Sequence, residues 1–144
     1  MSGVIRVYLP LTTQQLTVLL TKREVSAAQL QGFAVTPGLL AALPSPEDEE
    51  GGEYAALQEA AFHAAVQGVR VIVAADVIPE NVEEPSARSP GSSPAQVTVR
   101  GGLALPRVVS LQVLDPEGER DPGTEMDLSW YDVTELSQLL TDVG

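Results

Sequence analysis

The pattern of hydrophobic and polar positions centres on Val69–Ile78, the stretch VRVIVAADVI, which is the longest β-branched run in the sequence. Its two polar residues, Arg70 and Asp76, would share one face of a strand. Val69, Val71 and Val73 begin one face that is wholly apolar, whereas the other face is only half apolar. A period of two is typical of a β-strand, and apolar residues on both faces indicate that each face is at least partly covered. The pattern therefore predicts an interior strand of a sheet.

Shorter alternating stretches predict further strands on either side of this one. In Val4–Leu9, the side chains of Ile5, Val7 and Leu9 share one face. Similar short patterns predict strands at Gly32–Pro37, Val97–Val99, Val109–Val113 and Leu128–Tyr131. Most of these strands follow the middle of the chain.

Apolar residues at helical spacing predict the helices. Thr12 and Gln15 fit a capping box that opens a helix over about 13–23, and Thr36 with Pro37 fits the start of a short one. The clearest helix is Glu53–Gln67, which Gly68 would end. Its apolar stripe contains Tyr54, Leu57, Ala61 and Ala64 or Ala65, widened by Phe62 and Val66. A second capping box, formed by Asp132 and Glu135, opens a last helix. Leu136, Leu139 and Leu140 form the apolar stripe of this helix.

The predicted order, β α β α α β β β β α, favours an α+β fold over a doubly wound sheet. We expect one domain over residues 1–144, with a single mixed or mostly antiparallel sheet. This sheet would have about 4–6 strands, with about 3–4 helices packed mainly on one face. Polar stretches rich in Pro, Gly and acidic residues predict mobile loops at about 45–52, 79–95 and 115–127.

The composition excludes several classes of function. A formal net charge of −12 would repel nucleic-acid phosphates and anionic membranes, so neither is expected as a partner. The absence of cysteine excludes disulfides, thiolate metal sites and a cysteine nucleophile. The N-terminus does not resemble a signal peptide, and no apolar run reaches the ~18–20 residues that span a bilayer. A cytoplasmic location is the simplest expectation.

Motifs for catalysis and for cofactors are missing. His63 is the only histidine, HExxH is absent, and neither glycine-rich phosphate-binding pattern occurs. The acidic run Asp115–Asp127 resembles a calcium loop only loosely, because Arg120 and Met126 replace the required Gly and Glu. We therefore predict no catalytic residue, no metal site and no cofactor, which favours a non-enzymatic protein over an enzyme.

Five residues are candidates for binding: Arg6, Tyr54, Asp76, Trp130 and Tyr131. Asp76 ends the predicted interior strand, and it would either cap a turn or form a cleft carboxylate, with Arg6 as its ion partner if their strands are neighbours. Trp130 and Tyr131 point to opposite faces of their strand. One of the two is expected in the core, and the other is free to anchor a partner.

Several stretches together resemble a family of small actinobacterial proteins of unknown function. They are IRVYLP (Ile5–Pro10), GFAVTP (Gly32–Pro37), EYAALQEAA (Glu53–Ala61), RVIVAADV (Arg70–Val77) and LSWYDVTELSQLL (Leu128–Leu140). The resemblance covers nearly the whole chain and implies a bacterial cytoplasmic protein. It implies no reaction, cofactor or site residue.

Two functions follow as hypotheses. The first is a small cytoplasmic, non-enzymatic module that binds another protein or forms a homodimer, because a well-specified fold lacks catalytic motifs. The alternative is a small-molecule binding protein or a carboxylate-based hydrolytic enzyme that uses Asp76 or Glu53. A flat apolar patch near Trp130 or Tyr131 would favour the first, and a deep polar cleft the second.

Overall fold

A computed structural model of the chain describes residues 3–42, 49–85, 92–114 and 128–143. Its strands are β1 (Ile5–Leu11), β2 (Glu24–Val25), β3 (Gln29–Ala34), β4 (Val71–Val77), β5 (Val82–Glu83), β6 (Gln96–Arg100), β7 (Leu103–Ala104), β8 (Val108–Leu114) and β9 (Leu128–Tyr131). Its α-helices are α1 (Thr13–Lys22), α2 (Pro37–Ala42), α3 (Glu49–Gln67) and α4 (Leu136–Val143). Short 3-10 turns at Pro79–Asn81, Leu105–Arg107 and Val133–Glu135 connect some of these elements.

The main sheet of the described residues has seven strands in the order β5-β6-β3-β1-β4-β8-β9. Every neighbouring pair in it is antiparallel, which confirms the α+β class and the antiparallel sheet. The sheet exceeds the predicted size, because β5 pairs with β6 from within the stretch predicted as a loop. Two residues are too few to show a period, so the sequence pattern could not reveal β5. Strands β2 and β7 form a separate two-stranded sheet.

Strand β4 lies inside the sheet, between β1 and β8, as its pattern predicts. Val73 pairs with Leu9 on one side and with Leu111 on the other, and all three side chains are fully buried. The interior position explains the β-branched composition of this stretch, since such side chains pack well on a covered pleated surface.

The prediction that the helices pack mainly on one face is wrong. Leu16 and Leu19 of α1, with Leu136 and Leu139 of α4, pack in the cluster that contains Val73. Helix α3 covers the opposite face of the sheet. Its buried alanines pack in one cluster with four residues of the sheet: Tyr8, Phe33, Ile72 and Ala74. An interior strand with two apolar faces needs cover on both, so the helices divide between them.

The predicted helix-start signals are confirmed by hydrogen bonds. Thr12 and Gln15 form both bonds of a capping box. The Thr36 hydroxyl accepts from the Leu39 amide at 3.1 Å, as an N-cap does. Asp132 also forms a capping box, although a 3-10 turn precedes α4 there. Gly68 follows α3 with φ +75°, in the left-handed region that favours glycine after a helix.

The predicted loops are corrected where the structure describes them. Helix α3 begins at Glu49 rather than at Glu53, so part of the loop expected at 45–52 is helical. Within 79–95, a 3-10 turn and β5 replace part of the expected loop. The loop expected at 115–127 lies outside the described residues. In the described part of the chain, no helix combines the length and apolar character needed to cross a membrane.

Candidate functional site

Arg6 and Asp76 form an ion pair across strands β1 and β4. The antiparallel register places the two residues directly opposite each other. Arg6 Nε donates to Asp76 Oδ1 at 2.6 Å, and a second guanidinium nitrogen donates to Oδ2 at 3.4 Å. The predicted pairing of these two residues is therefore confirmed. The hydrogen bond to Asp76 raises the pKa of Arg6, against a smaller opposing effect of burial.

Tyr8 and Glu53 complete a polar cluster at this end of the sheet, on the side that α3 covers. The Tyr8 side chain is buried, and burial raises the pKa of its phenol. The negative charge of Glu53 raises this pKa further, whereas Arg6 lowers it. The charges of Asp76 and Glu53 therefore both act on Arg6 and on Tyr8, although Glu53 is on α3 and Asp76 is on β4. Glu59 instead accepts a hydrogen bond from Ser93 at 2.5 Å.

The raised pKa of Tyr8 predicts a specific loss of stability in alkali. Because the fold favours the neutral phenol, this contribution is complete below the unfolded pKa of about 10 and disappears as pH rises through the folded-state pKa. Urea denaturation between pH 8 and 11 should therefore show a steeper fall in the free energy of unfolding for wild type than for Tyr8→Phe. Tyr54→Phe, at an exposed position, should keep the wild-type curve. Parallel curves for wild type and Tyr8→Phe would contradict the assignment.

The chemistry available to this cluster is limited by the ion pair. Both oxygens of Asp76 accept from Arg6, so a proton-transfer role would require the pair to separate. The described residues contain no group of three or more His, Asp or Glu side chains that could hold a metal ion. The geometry therefore supports a cross-strand pair better than an acid–base site.

Trp130 and Tyr131 occupy opposite faces of β9, as the alternation predicts. Tyr131 is partly buried against the cluster formed by α1, α4 and the sheet, and its hydroxyl donates to Asp142 at 3.1 Å. Trp130 is 66% exposed and lies opposite Gln112 on the face of the sheet that α3 covers. Trp130 is therefore the member of the pair that is available to a partner.

The prediction that Phe62 and Val66 belong to the buried stripe of α3 is wrong. Phe62 is 65% exposed and Val66 is 71% exposed, and they lie one helical turn apart. Tyr54 is also exposed, on the flank of the helix. The side chains that are buried against the sheet are Ala56, Leu57, Ala60, Ala61 and Ala64. We call Phe62 and Val66 the α3 outer face.

The α3 outer face could have been recognised from a helical projection of the sequence. With 100° per residue, Phe62 and Val66 lie roughly opposite the middle of the buried row. Charge gives a second signal, since Glu59 is the only Asp, Glu, Lys or Arg between Tyr54 and Gln67. The outward side of this helix is thus apolar and nearly uncharged in a strongly acidic chain.

Comparison with known proteins places the chain in a family. The model of a family of unknown function, DUF6912, matches residues 5–140. The chain belongs to the DUF6912 family. No curated protein and no solved structure gives a significant match.

The DUF6912 match extends from the first residue of β1 into α4. It therefore includes the Arg6–Asp76 pair, the α3 outer face and Trp130 within one family region. The description of DUF6912 brings no activity, ligand or partner to these residues.

Proposed function

We propose that the protein is a cytoplasmic, non-enzymatic module that binds another protein through the α3 outer face. The exposure of Phe62 and Val66, one turn apart on a helix that is already apolar toward the sheet, carries this proposal. A helix that is apolar on opposite sides is usually covered on both. Docking of a partner would cover the second side.

The energetics favour a protein as the occupant of this face. Burying a Phe or Val side chain that is otherwise exposed stabilises a complex by about 1.5–3 kcal/mol each. Interface cores are depleted in charge and enriched in aromatic residues, as this stretch of α3 is. Trp130, on the same side of the sheet, is a further exposed aromatic side chain outside α3.

The charge of the chain indicates which kind of protein would bind. Two copies, each with a formal charge of −12, would repel each other, so self-association is the less favoured form of the hypothesis. A partner with an apolar centre and a basic rim would be attracted by the same charge. We therefore propose a hetero-complex, for which the on-rate should fall as salt concentration rises.

The carboxylate-enzyme alternative receives less support from the geometry. Asp76 is held by Arg6 through two contacts, and Glu53 lies beside the buried Tyr8. The carboxylate of Asp76 is therefore occupied by Arg6, whereas a hydrolytic enzyme would need it free to transfer a proton or to attack a substrate. The actinobacterial origin implied by the sequence resemblance stays a prediction.

Affinity capture with matched variants tests the proposal. Wild type, Val66→Glu and Val4→Glu would be tagged and used to isolate partners from the cells that make the protein. Val4 is exposed too, but it precedes β1 and lies outside α3, so it controls for the added charge. We expect Val66→Glu to lose at least ~10-fold of the bound partner, as when an interface anchor is removed, and Val4→Glu to retain it. Equal capture by all three proteins would contradict docking on α3.

A further inference from the structure

A cleft of about 470 Å³ lies on the face of the sheet opposite α3. It opens between the end of α1, the 3-10 turn at Leu105–Arg107 and the start of α4. Its apolar walls include Leu20, Leu105, Val108 and Leu136. The volume falls within the range of about 300–1,000 Å³ that is usual for small-molecule sites.

Arg23 is the charged residue among those that line this cleft. It follows α1 with φ 63°, the only positive φ among the described non-glycine residues. Its carbonyl accepts from the Leu105 amide at 2.9 Å, which ties its backbone to the 3-10 turn on the other wall. A left-handed backbone suits Gly or Asn better than Arg, so this position carries a small conformational cost.

Among the arginines in the described part of the chain, three have a side-chain partner, whereas Arg23 and Arg107 have none, and of these two only Arg23 lines the cleft. Arg6 pairs with Asp76, Arg70 donates to the Leu114 carbonyl, and Arg100 pairs with Glu83. Within the described part of the chain, Arg23 makes no side-chain hydrogen bond or ion pair. An unpaired cation on the wall of a mainly apolar cleft is suited to a ligand with an apolar body and one acidic group.

We propose that this cleft binds an amphiphilic monocarboxylate, such as a medium-chain carboxylic acid. The hydrocarbon chain packs against Leu20, Leu105 and Val108, and the carboxylate accepts from the guanidinium of Arg23. Two hydroxyl residues also line the cleft, Thr134 and Ser137. The Thr134 hydroxyl already donates to Asp132 at 2.5 Å, so we assign Ser137, at the start of α4, as the second donor to the carboxylate. This site is separate from the α3 outer face, because the two lie on opposite faces of the sheet.

Titration of the intact protein with octanoate, followed by amide chemical shifts, tests this proposal. We expect saturable shifts confined to residues that line the cleft, and at least tenfold weaker binding of octanol, which has the same chain without the charge. Arg23→Asn should weaken octanoate binding at least tenfold and keep the fold, since Asn tolerates the left-handed backbone. Arg107→Asn is the matched control, because Arg107 is exposed beside the cleft without lining it.

Two further results complete the test. Ser137→Phe should fill the mouth of the cleft and abolish the octanoate shifts while wild-type stability is retained. Equal affinity for octanol and octanoate, unchanged binding to Arg23→Asn, or shifts centred on other residues would each overturn the proposal. None of these outcomes depends on whether a protein docks on α3.

Discussion

Val73→Asp is expected to abolish cooperative folding. Val73 is fully buried in the interior strand β4, between Leu9 of β1 and Leu111 of β8. An unpaired carboxylate placed there costs several kcal/mol, against a total stability of about 5–15 kcal/mol for a domain. Urea denaturation followed by circular dichroism would measure the effect.

A matched substitution separates burial from charge in this experiment. Val66→Asp introduces the same residue at a position that is largely exposed, and it should change the free energy of unfolding by no more than ~0.5 kcal/mol. If Val73→Asp unfolded cooperatively with a midpoint near that of wild type, β4 would not lie inside the sheet.

Leu139→Ala is expected to destabilise the protein by about 2–5 kcal/mol, the range for truncating a fully buried leucine. Leu139 of α4 is fully buried in the cluster shared with α1 and the sheet. An isolated helix as short as α4 is marginal, so this packing supplies most of its stability. Chemical denaturation of Leu139→Ala and of Gln138→Ala, which changes an exposed neighbour, would measure the difference.

The same experiment decides between two roles for the C-terminal segment. A midpoint for Leu139→Ala equal to that of Gln138→Ala would mean that the leucine stripe is not part of the core. The stripe would then be a docking segment for a partner or for a second copy of the chain. The burial of Leu136 and Leu139 against α1 supports a role in the fold.

Local features of the fold could be predicted from the sequence because short-range chemistry determines them. The capping boxes at Thr12 and Asp132 need residues only three positions apart, and Gly68 needs only a left-handed backbone. The Arg6–Asp76 pair was also predictable, but only on the condition that β1 and β4 are neighbours. The period of two in β4 identified it as an interior strand.

Features that depend on tertiary packing were harder to predict. Periodicity locates an apolar stripe, but it does not say which face of the sheet receives each helix. The assignment of Phe62 and Val66 to the buried stripe of α3 is wrong for a different reason, because a helical projection of the sequence already separates them from the buried row. The cleft beside Arg23 is formed by segments far apart in the chain, and no local pattern marks it.

A partner protein that docks on the α3 outer face would contact Phe62 directly. Site-specific photo-crosslinking in the cells that make the protein tests this contact directly. A photoreactive phenylalanine analogue would replace Phe62 in one strain and Val4 in another, since both positions are exposed. Adducts would be identified by mass spectrometry.

We predict one discrete adduct from position 62, formed with a protein other than this chain and lost when Val66→Glu is added. Position 4 should not give that adduct. An adduct that contains two copies of the chain would contradict the hetero-complex and support self-association on the same face. Absence of any discrete adduct at position 62, or the same adduct from both positions, would contradict docking on α3.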